Sequence, residues 1–308
     1  MATARNVKDW LTYILFRIAA ALFGALPEQA VRSLGTKAGA IASARNTANR
    51  PLLARHMRRV LGPGASEAEV QAAVNDMYRS YGRYWAETFW FRPRRRDAIL
   101  ASVERIHFDP VHEAKAEGRG IVFAVSHVGN WEIAGLAAED LDLNLLAVAE
   151  NLPNPKITDW FLDVRARFGM DVVLTSDPAR RSKMIRRLKA GGALALLADR
   201  DITGKGVPVV FFGEETTLPA GPAALAELTD SVLLPVVVYF KDGPGYRLEV
   251  GDPIEIPDAG TRADRVQLGA QAVAEALETH IRKHPSQWHL FQPNWPSDTE
   301  PLLPRGRA

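Results

Sequence analysis

The sequence predicts an α/β fold: a mostly parallel, twisted sheet flanked by helices, with a helical region ahead of it. Three observations carry this expectation. From residue 100 onward, short apolar runs alternate with amphipathic segments of helical period, the pattern left by repeated strand-helix-strand units. Two of those runs, Ile121 to Ser126 and Ala193 to Ala198, hold no charge, as strands covered on both faces do. Finally, 308 residues at 47% hydrophobic content supply one large core. Residues 1–98 and 99–295 are therefore read as one domain, and Pro296 to Ala308 as a loose tail.

Taken in order, the first element is Trp10 to Leu26, rich in Trp, Leu, Ile, Phe and Ala, with Arg17 inside it and Pro27 after it. It is too short and too interrupted for a comfortable membrane span. Asp9 and the lack of a small-residue cleavage site argue against a signal peptide. The run suits a helix lying in a lipid interface, with Arg17 reaching for headgroups, and equally a helix packed on the core. Ala30 to Ala44 and the basic stretch Leu52 to Leu61 follow as helices, and Pro63-Gly64 breaks the second. Ser66 with Glu67 and Glu69 starts the next one. That helix carries Tyr78, Tyr81, Tyr84, Trp85, Phe89, Trp90 and Phe91, and ends in Arg92-Pro93-Arg94-Arg95-Arg96. Aromatics at this spacing build core; beside an arginine cluster they also suit an anchor at headgroup level.

Further strands are read at Leu145 to Ala149, Asp171 to Leu174, Val207 to Phe212, and Leu233 to Phe240 with a hairpin-like partner, Tyr246 to Val250. Helices are read from Ile133, over Ile157 to Phe168 and Pro178 to Lys189, from Leu218-Pro219-Ala220-Gly221-Pro222 onward, and over Ala263 to Lys283. Trp288, Phe291 and Trp295 are read as packing that last helix onto the sheet, and His284 and His289 as structural.

Charge is unevenly spread. Residues 1–96 hold sixteen Lys and Arg against six Asp and Glu, a net of +10, while the remainder nets −8 under a whole-chain value of +2. A basic face attracts anionic lipid, a phosphorylated ligand or nucleic acid. Without a zinc-finger, RNP-like or helix-turn-helix signature, nucleic acid is set aside and an anionic membrane surface is the expected partner. The chain has no cysteine, which excludes a Cys nucleophile, thiolate metal sites and disulfides.

The chemistry centres on His127, at the carboxyl end of the Ile121–Ser126 strand, where ligands collect in open α/β sheets. Glu132 lies five residues on, across the Gly129-Asn130 turn. That spacing can fold its carboxylate onto the imidazole, fixing the tautomer and supporting the imidazolium of a general base; the bland alternative is a turn histidine beside a helix-capping acid. The strand Ala193 to Ala198 ends in Asp199-Arg200-Asp201, where charges need partners. One reading is a self-satisfying ion cluster. The other places a carboxylate near His127 to bind acceptor hydroxyls, with Arg200 pairing with it or with a phosphate. Backbone amides near the Gly129-Asn130 turn or at the 219–222 helix start are candidates to hold an oxyanion. No Gly-x-Gly-x-x-Gly, Walker-type loop or Gly-x-Ser-x-Gly elbow is present.

His127-Val128-Gly129-Asn130-Trp131-Glu132 resembles the His-x4-Asp/Glu motif of the lysophospholipid and glycerophosphate acyltransferase superfamily. The His-x-Gly-Asn-Trp-Asp/Glu form is similar to the branch of bacterial lipid A acyltransferases and actinobacterial phosphatidylinositol mannoside acyltransferases. Ala149-Glu150, Arg165, Ala198 to Asp201, Phe211 to Glu214, Leu218 to Pro222 and the terminal Pro285-x-x-Trp288 segment extend the resemblance over roughly residues 120–295. It implies a glycerophosphate acyltransferase-like fold, His127 as base with Glu132 as its partner, and Glu150, Arg165 and Asp199 as active-site or acceptor-binding residues. Ser126, Gly129, Asn130 and Arg200 complete the expected substrate-binding set. The mannoside enzymes' pattern carries Glu where Asp199 stands and Asp where Glu132 stands, so charge is kept but reach is not.

The resulting expectation is an O-acyltransferase peripheral to the cytoplasmic side of the inner membrane. It would move a palmitoyl-like chain from acyl-coenzyme A, a substrate rather than a cofactor, to a glycolipid acceptor, with no cofactor or metal. The acceptor would be a mannose hydroxyl of a phosphatidylinositol mannoside. A lipid A-type enzyme using acyl carrier protein, a metal-dependent hydrolase and a non-catalytic membrane module remain as alternatives.

Overall fold

The computed structural model describes residues 2–299. Four helices come first: α1 (Ala2–Ala25), α2 (Glu28–Arg45), α3 (Arg50–Leu61) and α4 (Glu67–Trp90). A capping box opens α4, with Ser66 Oγ accepting from the Glu69 amide and the Glu69 carboxylate accepting from the Ser66 amide. α2 and α4 approach closely because glycine meets glycine. A Cβ on Gly39 would lie 2.1 Å from the Tyr78 carbonyl oxygen, and one on Gly82 would lie 2.3 Å from that of Gly35.

A short α5 (Arg96–Ala101) leads to β1 (Val103–Ile106) and α6 (Asp109–Ala116). Strand and helix then alternate through β2 (Ile121–Gly129), α7 (Glu132–Asp140), β3 (Leu145–Ala149), α8 (Pro155–Ala166), β4 (Asp171–Leu174), α9 (Arg180–Lys189) and β5 (Ala193–Leu197). The antiparallel hairpin β6 (Val207–Phe211) and β7 (Glu214–Leu218) forms a separate small sheet. α10 (Gly221–Thr229), β8 (Val232–Phe240), β9 (Tyr246–Val250) and α11 (Arg262–Lys283) complete the order.

The main sheet has seven strands in the order β1-β9-β8-β2-β5-β3-β4, and every neighbouring pair is parallel except β8 with β9. The predicted helix-flanked, mostly parallel sheet is therefore present. β2 is central, and its alternation divides the core: Val122, Ala124 and Val128 pack on one side of the sheet, Ile121, Phe123 and Val125 on the other. A third cluster, built on Phe16 and Ala20 of α1, Phe89 of α4 and Trp160 and Phe161 of α8, ties the N-terminal helices to α8.

Three features depart from expectation. β2 continues three residues past Ser126, through a register shift between Val125 and Gly129 that brings Gly129 beside Val238. His127 thus sits inside the irregular end of the strand rather than after it. β1, β7, α5 and α6 were not foreseen. Pro296–Thr299, read as the start of a loose tail, is a 3-10 turn. Asp298 anchors it, accepting from His56, Arg59 and the amides of Asn294 and Trp295. The rest of that predicted tail, residues 300–308, lies outside the described residues.

Candidate active site

The parallel register sets the site. Ile121 to Val125 of β2 align with Ala193 to Leu197 of β5, and the same offset carried past both strands puts His127 beside Asp199. The Asp199 carboxylate is fully buried and takes three hydrogen bonds. Its Oδ1 accepts from His127 Nδ1 at 2.8 Å; its Oδ2 accepts from the His127 amide at 3.0 Å and from the Trp288 indole Nε1 at 2.8 Å. Burial pushes the Asp199 carboxyl up, but the His127 charge and these donors outweigh it and hold the group below the ordinary carboxylate range. Among the described residues, His127 Nε2 has no hydrogen-bond partner, and the ring lines an open cleft of about 680 Å³.

The expected contact between Glu132 and His127 is not made. Glu132 opens α7 and accepts two hydrogen bonds from Arg165 of α8, at 2.9 and 2.6 Å. Burial lowers the Arg165 proton affinity, and the Glu132 charge with its hydrogen bonds more than reverses this. Asp199 turns to His127 rather than to the cleft, and Arg200 donates to Glu150 at 2.8 Å rather than to either neighbouring aspartate. Asp201 caps its own loop, accepting from the amides of Thr203, Gly204 and Gly206.

The cleft gathers His127, Glu150, Arg165 and Arg200, but not Ser126, Gly129, Asn130 or the 219–222 segment. Ser126 and Asn130 are buried, and Asn130 donates to the buried Glu87 of α4 at 3.2 Å. Gly129 has φ +57°, and a Cβ there would meet the Val238 carbonyl oxygen at 2.0 Å, so that position is fixed by backbone packing. The rest of the cleft wall is largely apolar, with Tyr81, Tyr84 and Trp85 from α4, Phe161 and Leu162 from α8, Trp131 just ahead of α7, and Ile202.

His289 was read as structural, yet it lines the cleft. Its amide donates to the His127 carbonyl at 2.7 Å, and its Nε2 lies 2.8 Å from Ser80 Oγ. Burial, reinforced by the neighbouring His127, pushes this imidazole down to about 3, so it is neutral at physiological pH. Among the described residues, no group of three or more His, Asp and Glu is placed to hold a metal ion.

The model of the bacterial lipid A biosynthesis acyltransferase family matches residues 2–297. A phosphatidylinositol mannoside acyltransferase of Mycobacterium tuberculosis (strain CDC 1551 / Oshkosh) is 34% identical over 280 residues, covering 89% of this chain and 85% of the relative. That of Mycolicibacterium smegmatis is 32% identical over 279 residues, 90% of this chain and 89% of the relative. A lipid A biosynthesis acyltransferase of Haemophilus influenzae is 26% identical over 199 residues, 63% of this chain and 59% of the relative. The chain belongs to the bacterial lipid A biosynthesis acyltransferase family. It is an acyltransferase, and an acyl donor and a lipid acceptor are the substrates that the family implies.

In this acyltransferase, sequence reasoning missed Trp288 and His289 as parts of the site. Both come from the segment after α11, which pairs with the end of β2 through a bridge between Val128 and Trp288. The adjacent Trp288-His289 pair was visible, but nothing local in the sequence says that its chain returns to the strand carrying His127. Among the described residues, no helix is long and apolar enough to cross a membrane.

Proposed function

We propose that the protein transfers a long fatty acyl chain, palmitoyl, from acyl-coenzyme A to a mannose hydroxyl of a phosphatidylinositol mannoside. His127 acts as general base, and no acyl-enzyme forms. The observation that carries this reading is the His127–Asp199 pair, with Nδ1 bound to a buried carboxylate and Nε2 left to the cleft. A coenzyme A thioester is already activated, so the protein needs to position the acceptor hydroxyl and take its proton. His127 Nε2 removes that proton as the alkoxide oxygen attacks the thioester carbonyl. Asp199 stabilises the imidazolium. Collapse of the tetrahedral intermediate expels the coenzyme A thiolate, which takes the proton from the His127 imidazolium and returns the base to its neutral form. The apolar wall formed by α4 and α8 suits the acyl chain, and Arg200, a cleft-lining cation beside Glu150, suits a phosphate of donor or acceptor.

The enzyme works peripherally, on the cytoplasmic leaflet of the inner membrane. Support comes from α1, where Val7, Leu11, Leu15, Ile18 and Leu22 are 50–66% exposed in one stripe, opposite the face that packs against α8 and α4.

The test is incubation of the purified protein with labelled palmitoyl-coenzyme A and a panel of glycolipids. Label should enter a phosphatidylinositol mannoside, and folded His127→Ala should lose roughly 10²–10⁴-fold in kcat. Acylation of a lipid A precursor from acyl carrier protein alone would overturn the donor and acceptor. A folded His127→Ala protein with normal turnover would overturn the mechanism.

A further inference from the structure

We propose that Trp288 is a positioning residue for the base: its indole N–H fixes the rotation and charge of Asp199, and through Asp199 the basicity of His127. The inference rests on the reading of His127 as general base. Trp288 is fully buried among Phe211, Phe212 and Trp295, so its ring has one place to sit. Its Nε1 is a donor that cannot accept, and it points at Asp199 Oδ2 from 2.8 Å. With Oδ2 held by this donor and by the His127 amide, Oδ1 is left facing Nδ1.

The chain around Trp288 reinforces the same geometry. His289 donates its amide to the His127 carbonyl, and Asn294 donates its side-chain amide to the Asp199 carbonyl at 3.1 Å. The segment is pinned at its far end by Asp298, bonded to the buried His56 and to Arg59. One strap therefore touches the base once and the residue carrying its carboxylate twice, without lending a carboxylate of its own. A merely space-filling tryptophan would need only the aromatic nest, not the aimed N–H.

The sign of the effect follows from the charge. Removing the indole N–H leaves more of the Asp199 negative charge facing His127, which stabilises the imidazolium and raises the basicity of the ring. The carboxylate also gains rotational freedom, so fewer molecules hold the productive geometry.

The experiment compares wild type, Trp288→Phe and His127→Ala with palmitoyl-coenzyme A and phosphatidylinositol mannoside as substrates. A fourth protein has Trp288 replaced site-specifically by 3-benzothienylalanine, which keeps the bicyclic shape and lacks the N–H. That isostere preserves packing if Trp288→Phe fails to fold. In the folded Trp288 variants, the acidic limb of kcat/KM should move up by about half a pH unit or more. kcat should fall roughly tenfold, while KM for the thioester stays within about twofold. An acidic limb and kcat both unchanged in the isostere, beside an inactive His127→Ala, would overturn the role of Trp288 alone. An active folded His127→Ala would overturn the base assignment and this inference with it.

Discussion

A carboxylate removed from water survives as an anion only if its lone pairs are met by donors. Asp199 meets that condition with two donors from His127 and one from Trp288. Asp199→Asn keeps the size, removes the charge and presents an amide to Nδ1, favouring the wrong tautomer. It should lower kcat by about 10²-fold or more with KM little changed. Glu132 serves another partner. Its side chain and that of Arg165 are 9% and 17% exposed, so Glu132→Gln leaves a largely buried cation without its counter-charge. The expected loss there is stability, about 2–4 kcal/mol by urea unfolding; an unchanged unfolding midpoint with collapsed kcat would return Glu132 to His127. Both acids were singled out in the sequence, and a carboxylate of the 199–201 cluster was one candidate neighbour of His127, but the acid expected to bond its ring was Glu132, which bonds Arg165 instead. Spacing along the chain reports only local reach, and a five-residue loop looked sufficient. Strand register is non-local, and the β2–β5 alignment brings in a residue 72 positions away instead.

At the scale of elements, α4 shapes one wall of the cleft, where Tyr81, Tyr84 and Trp85 stand. Its position depends on contact with α2 at glycine distance. In Gly39→Ala the new methyl would meet a main-chain carbonyl oxygen at 2.1 Å, which only a shift of one helix relieves. A destabilisation of about 1–3 kcal/mol should follow, read from the urea midpoint, with activity falling as the wall moves. Gly64→Ala is the control, because a Cβ there meets nothing within 4 Å. Several elements that sequence reading found carry strong local signals, such as the charge-free runs of β2, β5 and β8 or the Ser66 N-cap of α4 with acids behind it. β1 escaped because Val103-Glu104-Arg105-Ile106 is an edge strand, half charged and paired only with β9. β7 escaped for a related reason: Glu214-Glu215-Thr216-Thr217 pairs only with β6, and that hairpin stands outside the main sheet.

At the scale of the molecule, the charge asymmetry and the apolar stripe of α1 belong to the same end of the chain. Residues 1–96 carry the net +10, while Leu11, Leu15, Ile18 and Leu22 leave α1 apolar on the side away from the protein. The opposite side of α1 packs through Phe16, edge-on, against Trp85, Phe89 and Trp160, and Trp85 also lines the cleft. A surface docked on the outer stripe would thus lie one helix diameter from the aromatic cluster that borders the site. A lipid-borne acceptor and a long acyl chain would then enter without first crossing water. Binding to vesicles containing anionic lipid should combine apolar insertion with attraction of the basic region. It should weaken as salt rises from low to physiological strength and still persist in part. Replacing Leu11, Leu15, Ile18 and Leu22 together by Ser removes the insertion term and leaves the packed face of α1 intact. At roughly 1.5–3 kcal/mol for each fully buried leucine or isoleucine, even partial insertion makes this a loss of at least about 10²-fold in vesicle affinity. Sedimentation with liposomes measures that loss, and turnover of a detergent-dispersed acceptor should be nearly retained. If the quadruple variant binds vesicles like the wild type, α1 is not the docking face, and the basic residues alone hold the protein to lipid.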